Sequence, residues 1–439
     1  MRPCRRSACV ALVLLAALAA PPLVSGADSS LDARVDQEAA KVSAQCVEVR
    51  HKLHLNPELS NREAQTSELV AAHLRSLGLD PRTGVAKYGV VALLQGGKPG
   101  PLIAVRADMD ALPVVEQTDL PFASKKKDTF LGQEVGVAHA CGHDVHTSVL
   151  MGTATVLASI KKDLPGSVLF IFQPAEEGPP PGERAGAELM LAEGAFAKGK
   201  PAAVFALHSF PDLPVGQVGF NPGPTMAAVD QFRITIKGKQ AHGAYPHLAV
   251  DPVVMAAEAI LEFQTIRSRN VPALEPSVLT VGIVRGGERF NIIPGEVHLE
   301  GTVRTYKQEV RDLIERRMRE ILDGIARGNG GTFEMQYQRN APATVNDPEL
   351  AARVRPLLER IVGADNVKIV EPSMAGEDFA YFANQAPGFF YRLGVVAPGT
   401  TSGGLHTPTF RADDSAVPAG IRIMSRLLVD YLSENHSSR

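Results

Sequence analysis

Between about Met226 and Arg339 the hydrophobic pattern runs strand, helix, strand, strand, helix, strand, and that order leaves few folds open. "DQFRITIKG" alternates apolar and polar residues as a half-exposed strand does. "DPVVMAAEAILEFQTIRSR" is amphipathic at helical spacing, and "SVLTVGIVRGG" and "EVHLEGTVRTY" are further strands. A charged helix, "KQEVRDLIERRMREILDGIARGNG", and the strand "TFEMQYQR" complete the block. A βαββαβ order closes into a sheet of its own with both helices on one face, the ferredoxin-like α+β arrangement.

On either side of this block, strands alternate with helices. The runs "PLIAVRADMDALPV", "GSVLFIFQPAEEG" and "AAVFALHSFPDL" are almost wholly apolar, as strands buried on both faces are. Helical spacing recurs in "DARVDQEAAKVSAQCVEVRHKLHLNPELS", "REAQTSELVAAHLRSLG" and "TSVLMGTATVLASIKKD". It returns downstream in "PELAARVRPLLERIVG" and "AVPAGIRIMSRLLVDYLSE", with the strand "GFFYRLGVV" between them. This is an α/β pattern, in which chemistry gathers at the carboxyl ends of the strands. A chain of 439 residues, 45% hydrophobic and 21% charged, is long enough for two domains with separate cores. The expected division is a first domain over 27–225, an inserted domain over 226–339 and a return to the first over 340–439.

Residues 1–26 read as a secretory signal, with basic Arg2, Arg5 and Arg6, an apolar run "ACVALVLLAALAAPPLV", and small Ser25 and Gly26 before Ala27. Pro21 and Pro22 break the run as a membrane span, so the mature protein is expected to be exported, periplasmic or secreted, with no membrane attachment after cleavage. A formal charge of −3, with no basic stripe interleaved with aromatics, excludes a nucleic-acid footprint. The expected partner is a small molecule. Cys4 and Cys9 leave with the signal. Cys46 and Cys141 remain where oxidation is possible, but they sit in unlike surroundings and no bridge between them is expected.

The stretch "HACGHDVHTS", His139–Ser148, concentrates three histidines, a cysteine and an aspartate in a chain that has 12 histidines and four cysteines in all. Comparable groups finish other predicted strands: Asp108 and Asp110, Glu176 and Glu177, and His208, with His406 in "GGLHTPTF" far downstream. Asp108 and Asp110 are two apart and point the same way on an extended backbone. Gly142 lets the chain bend between the thiol of Cys141 and the imidazole of His143. Borderline transition metals accept such mixed sulfur, nitrogen and oxygen donors. Of the adjacent glutamates, one can bind metal while the other takes a proton from metal-bound water. A catalytic thiol at Cys141 is the competing reading, and it leaves Asp110, Glu176 and Glu177 without a task.

The blocks "RADMDALPV", "HACGHDVH", "FQPAEEG", "ALHSFPDLPVG", "GKQAHGAYPH", "FNIIPGEVHLEGTVRT", "AGEDFAYF" and "GLHTPTF" resemble, in order, the metal-dependent amidohydrolases that include hippurate hydrolases, indoleacetyl-amino-acid hydrolases and N-acetyldiaminopimelate deacetylases. The resemblance runs from about Val47 to Leu432. It implies a metallopeptidase-type catalytic domain with a central mixed sheet, and an inserted dimerisation or lid domain, hence a homodimer. It also implies that Cys141, His143, Glu177, His208 and His406 hold two divalent ions, zinc, manganese, nickel or cobalt, with Glu176 as general base and Asp110 orienting a ligand or tuning the base. The position of Asp108 is usually a histidine ligand in the wider metallopeptidase group, so Asp108 joins His139, Asp144 and His146 as residues placed to support the ligands.

By the same resemblance, His242, Asn291 and Arg304 in the inserted block match positions that reach substrate when the domains close, Arg304 as a carboxylate clamp. His51, His54, His73, His298 and His436 are read as ordinary histidines. The expected reaction is hydrolysis of the amide of an N-acyl amino acid. A carboxypeptidase or dipeptidase of the same architecture is the alternative. A non-catalytic binding protein is a further one, against which the retained Glu176, Glu177 and ligand candidates argue.

Overall fold

The computed structural model describes residues 26–437, with side chains over 31–434; the expected signal lies outside the described residues apart from Gly26, which opens the first helix. That helix, Gly26–Leu55, stops before Pro57, whose ring cannot continue it. The next, Ala64–Ser76, starts where the Glu58 carboxylate accepts the N–H groups of Gln65 and Thr66 at 3.1 and 2.8 Å.

The strands of the flanking segments form one eight-stranded sheet. Its order is Arg82–Val85, Gly89–Gln95, Pro165–Gln173, Lys98–Asp108, Val204–Pro214, Gly388–Val396, Val218–Phe220, Val367–Ile369. The strands from Pro165–Gln173 to Gly388–Val396 run parallel; Gly89–Gln95 and Val218–Phe220 oppose them, so the sheet is mixed. Helices Gly26–Leu55, His143–Ser159 and Ala416–Ser437 pack against one another and cover one face, burying Val105, Phe170, Phe172 and Phe205 under Val145, Val149, Ile421 and Leu428. The opposite face buries Ala104, Leu169, Ile171 and Ala206 against Met190, Phe379 and Phe382. Burial on both faces explains the continuous apolar runs. Truncating a core phenylalanine such as Phe170 to alanine would cost about 3–5 kcal/mol.

A separate four-stranded antiparallel sheet, ordered Ser277–Gly286, Glu296–Thr305, Ala228–Lys237, Thr332–Ala341, is built by the βαββαβ block. Along Ala228–Lys237 alternate residues are buried, and Phe232, Ile234 and Ile236 meet Met255 and Phe263 of helix Pro252–Thr265 and Ile314 and Met318 of helix Gln308–Asn329. Both helices therefore lie on one face. Asp230 accepts from Arg311 and from the Tyr337 hydroxyl, tying the longer helix to the sheet.

The structure departs from the sequence reading in local detail. His208 lies within a strand, paired with Arg392, because the chain stays extended through Pro214. Cys141 and His143 stand at a helix start, since helix His143–Ser159 begins one turn before the expected "TSVLMG". The two-residue turn between Lys127–Phe130 and Gln133–Gly136, and the short strands Val218–Phe220 and Val367–Ile369, carry too few apolar residues to stand out in sequence. Among the described residues no helix is long and apolar enough to cross a membrane.

Candidate metal centre

Cys141 ends a loop that turns into its helix through Gly142, at φ 84°. A Cβ there would also come within 2.7 Å of Ser209 Cβ, so both backbone and space require glycine. His406 arrives from the far end of the chain in the left-handed conformation, φ 61°, with its N–H donating to Ala140 O at 2.8 Å. These anchors bring the side chains together. Cys141 Sγ is 3.4 Å from His208 Nε2 and 3.2 Å from His406 Nε2. Glu177 Oε1 is 3.0 Å from His406 Nε2 and 3.9 Å from His143 Nε2.

Two contacts orient the imidazoles. His208 Nδ1 donates to Ser209 O at 2.9 Å, leaving Nε2 to face Cys141. His143 Nδ1 lies 3.3 Å from Asp110 Oδ1, leaving its Nε2 toward Glu177. Asp110 also accepts Ser60 Oγ at 2.6 Å and the N–H groups of Glu176 and Glu177, each at 3.1 Å. The tautomer of His208 is thus fixed by Ser209 O, and Asp110 rather than His139, Asp144 or His146 faces the Nδ1 of His143. His146 instead ties Asp108, at 2.6 Å from Nδ1, to the Ser209 N–H, at 2.7 Å from Nε2. Asp144 accepts from Arg50 at 3.1 Å and lies 2.9 Å from His54 Nδ1, whose other nitrogen is 3.1 Å from Glu116. His139 is buried with both ring nitrogens unpartnered.

The field at this cluster favours a cation. Burial opposes charge on His143, yet Asp108 and Asp110, with Glu177, lift its pKa to about 10. Burial and the carboxylates of Glu177, Glu176 and Asp108 push the Cys141 thiol well above its usual value. Burial, then Glu377, Glu177 and Asp378, do the same to Glu176. His143 Nε2 and Glu177 Oε1 are buried and form no hydrogen bond, which is costly unless something else satisfies them; the 3.0 Å approach of His406 Nε2 to Glu177 Oε1 is an ion-pair contact without hydrogen-bond geometry. A divalent ion would satisfy both atoms, lower the thiol pKa and match the sulfur, nitrogen and oxygen donor set. Among the described residues five groups converge closely enough to hold one: Cys141, His143 and His208; Cys141, Glu177 and His406; His143, Glu176 and Glu177; and, drawing on neighbouring carboxylates, Asp108, His143 and His146, and Glu176, Glu377 and Asp378. His406 is 51% exposed whereas Glu177 is 12% and His143 is 0%, so the cluster opens to solvent on the His406 side.

Asp108 makes no approach closer than 3.8 Å to His143 Nε2 and is held by Arg106 Nη1 at 2.7 Å. Arg106, fully buried, also donates to Glu377 at 2.9 Å, Asp378 at 3.1 Å and Gln173 at 2.8 Å. This cluster beneath Glu176 was not anticipated. Its signal was an arginine inside the apolar strand "PLIAVRAD", since a buried guanidinium must have partners. His54, read as ordinary, is equally embedded.

Of the residues expected in the inserted block, His242 and Asn291 lie side by side where the short strands Ala241–His242 and Ile292–Ile293 pair antiparallel, with Gly243 N–H donating to Asn291 O at 2.8 Å. His242 is exposed, and its Nδ1 accepts the Ala244 N–H at 3.0 Å. Arg304 donates to Thr302 Oγ1 at 3.1 Å and lies against Gly376, next to Glu377. None of the three is in hydrogen-bond contact with the Cys141 cluster.

The profile of Peptidase family M20/M25/M40 matches residues 104–430. The chain is 38% identical over 390 residues to the N-acetylcysteine deacetylase of Bacillus subtilis (strain 168), covering 88% of this chain and 96% of that one. It is 36% identical over 364 residues to thermostable carboxypeptidase 2 of Saccharolobus solfataricus, covering 82% and 88%. The crystal structure of the Bacillus subtilis YXEP protein, a dinuclear metal binding peptidase, superposes with a TM-score of 0.75 at 35% identity, over 90% of this chain and 99% of that one.

Proposed function

Since the chain belongs to peptidase family M20/M25/M40 and is a hydrolase of that family, we propose that it hydrolyses the amide bond of N-acyl amino acids, with two divalent ions held by Cys141, His143, Glu177, His208 and His406. The observation that carries this reading is the convergence of those donors, with two buried unpartnered ligand atoms, beside a further carboxylate, Glu176. When bound, the ions supply Lewis acidity, which acidifies water and polarises the acyl carbonyl.

The protein's own part is proton transfer and positioning. Glu176 takes the proton from the attacking water as the new C–O bond forms. When the C–N bond breaks, Glu176 returns that proton to the leaving nitrogen, giving a carboxylic acid and a free amino acid. Asp110 holds the N–H groups of Glu176 and Glu177 together with His143 Nδ1, which fixes base and ligands in one frame. The inserted block supplies His242, Asn291 and Arg304 to the acyl-amino-acid substrate on closure, and serves as the homodimer contact. Residues 1–26 direct the chain to export.

The test is an assay of metal-reconstituted mature protein on N-acetyl, N-benzoyl and indoleacetyl amino acids alongside dipeptides. Turnover of the acyl amino acids at kcat/KM well above the dipeptides supports the proposal. The reverse order would assign it the peptidase activity for which the Saccharolobus relative is named.

A further inference from the structure

We propose that Glu63, in the loop between the first two helices, is a positioning residue that holds the turn presenting Glu176 and Glu177; this rests on the roles given above to those two carboxylates. Ala175, immediately before Glu176, is buried and left-handed at φ 53°, a conformation that L-residues with a Cβ avoid. Its N–H donates to Glu63 Oε1 at 2.8 Å. The same oxygen accepts the N–H of Asn61 at 3.0 Å, and Asn61 is itself left-handed at φ 60°. One carboxyl oxygen therefore holds two left-handed residues in segments far apart in sequence, of which Ala175 bears the larger steric cost because asparagine adopts that region readily.

The pattern continues along the turn. The next two N–H groups, of Glu176 and Glu177, are taken by Asp110 Oδ1 and Oδ2 at 3.1 Å each. Three successive backbone donors are thus bound by two buried carboxylates, and Ser60, three residues before Glu63, steadies the second of them at 2.6 Å. Glu63 is fully buried and its other oxygen, Oε2, has no partner. A carboxyl group left half satisfied in the interior is a cost to folding, and one that a packing role alone does not require. Without the Oε1 acceptor, Ala175 is free to leave the left-handed region. Glu176 and Glu177 then shift relative to His143 and Cys141, and a displacement of about 1 Å is enough to cost on the order of 10²-fold in rate.

The experiment compares Glu63→Ala, Glu63→Gln, Ala175→Gly and Glu63→Ala/Ala175→Gly in the metal-loaded protein, measuring kcat, KM, metal content and Tm. Glu63→Ala should lose on the order of 10²-fold in kcat with little change in KM. Glu63→Gln keeps an acceptor at the same place and should stay within about tenfold of wild type. Glycine takes the left-handed conformation without steric cost, so Ala175→Gly should restore at least about tenfold of what Glu63→Ala loses. If Glu63→Ala does not fold, Glu63→Asp, which withdraws the acceptor by one methylene, takes its place with the same expected rescue. Wild-type kcat in Glu63→Ala, or no rescue by Ala175→Gly, overturns the proposal. Glu176→Gln is assayed in parallel: wild-type turnover there removes the base assignment and the positioning claim with it, whereas an inactive Glu176→Gln beside a fully active Glu63→Ala removes the positioning claim alone.

Discussion

His406 Nε2 stands 3.2 Å from Cys141 Sγ across a sequence separation of 265 residues, held there by the His406 N–H on Ala140 O. Both side chains face Glu177, so one cation at this point would draw on donors from three segments of the chain. Cys141→Ser and His406→Ala should each lower bound metal, measured by elemental analysis after dialysis, and lower activity in parallel. Cys141 and Cys46 are both free and buried, and Cys46 packs against Gly152. Thiol labelling of the denatured, metal-stripped, unreduced protein should therefore count both; a mass showing them bridged would contradict the ligand role of Cys141.

Glu176 and Glu177 are adjacent but should separate in phenotype. Glu176→Gln should lower kcat by about 10²–10⁴-fold with metal content nearly intact, because it removes proton transfer alone. Glu177→Gln should lose metal as well. Reversed phenotypes would exchange the two roles.

Much of this was legible in sequence because the strands are buried on both faces, which writes them as unbroken apolar runs, and because the βαββαβ block changes period abruptly at its borders. The residues that meet at Cys141 were legible because cysteine, histidine and paired glutamates are conspicuous in such runs. What holds them was not. Ser60, Asn61 and Glu63 lie in a polar loop whose pattern differs in no way from a solvated turn, and only the tertiary structure brings them under Ala175. Arg50 and His54 likewise gain meaning only from the buried Asp144 between them, and Glu116 from the other nitrogen of His54.

That buried network makes stability depend on pH. Burial opposes protonation of His54, but Asp144 and Glu116 outweigh it and lift its pKa from 6.5 to about 9. A pKa raised by folding contributes stability that is complete below the unfolded value and is lost as pH rises through the folded one. Its contribution, on the order of 3 kcal/mol near pH 6, should therefore fade between about pH 6.5 and 9. The Tm of wild type should exceed that of His54→Gln at pH 6, and the gap should narrow steadily toward pH 9.5. A gap independent of pH would contradict the charged state of His54.

His242 Nδ1 is occupied by the Ala244 N–H, which leaves Nε2–H as a donor on an exposed two-stranded pairing. Strand Ser277–Gly286 forms one edge of the inserted sheet, and an edge of this kind is available for pairing across a two-fold axis. The protein should sediment as a dimer. His242→Ala should lower kcat by about 10²-fold with KM and metal little changed, as expected for a donor to the oxyanion of the reacting carbonyl. An active monomer would remove the dimer contact, and an unaltered kcat would return His242 to a turn residue.

The most direct measurement is metal stoichiometry against activity. Mature protein stripped with chelator and titrated with zinc, manganese, nickel or cobalt should be inactive when empty, bind close to two ions per chain, and regain N-acyl-amino-acid hydrolysis as the sites fill. Full activity with a single saturable ion, or activity that survives complete stripping, would contradict the two-metal centre at Cys141, His143, Glu177, His208 and His406.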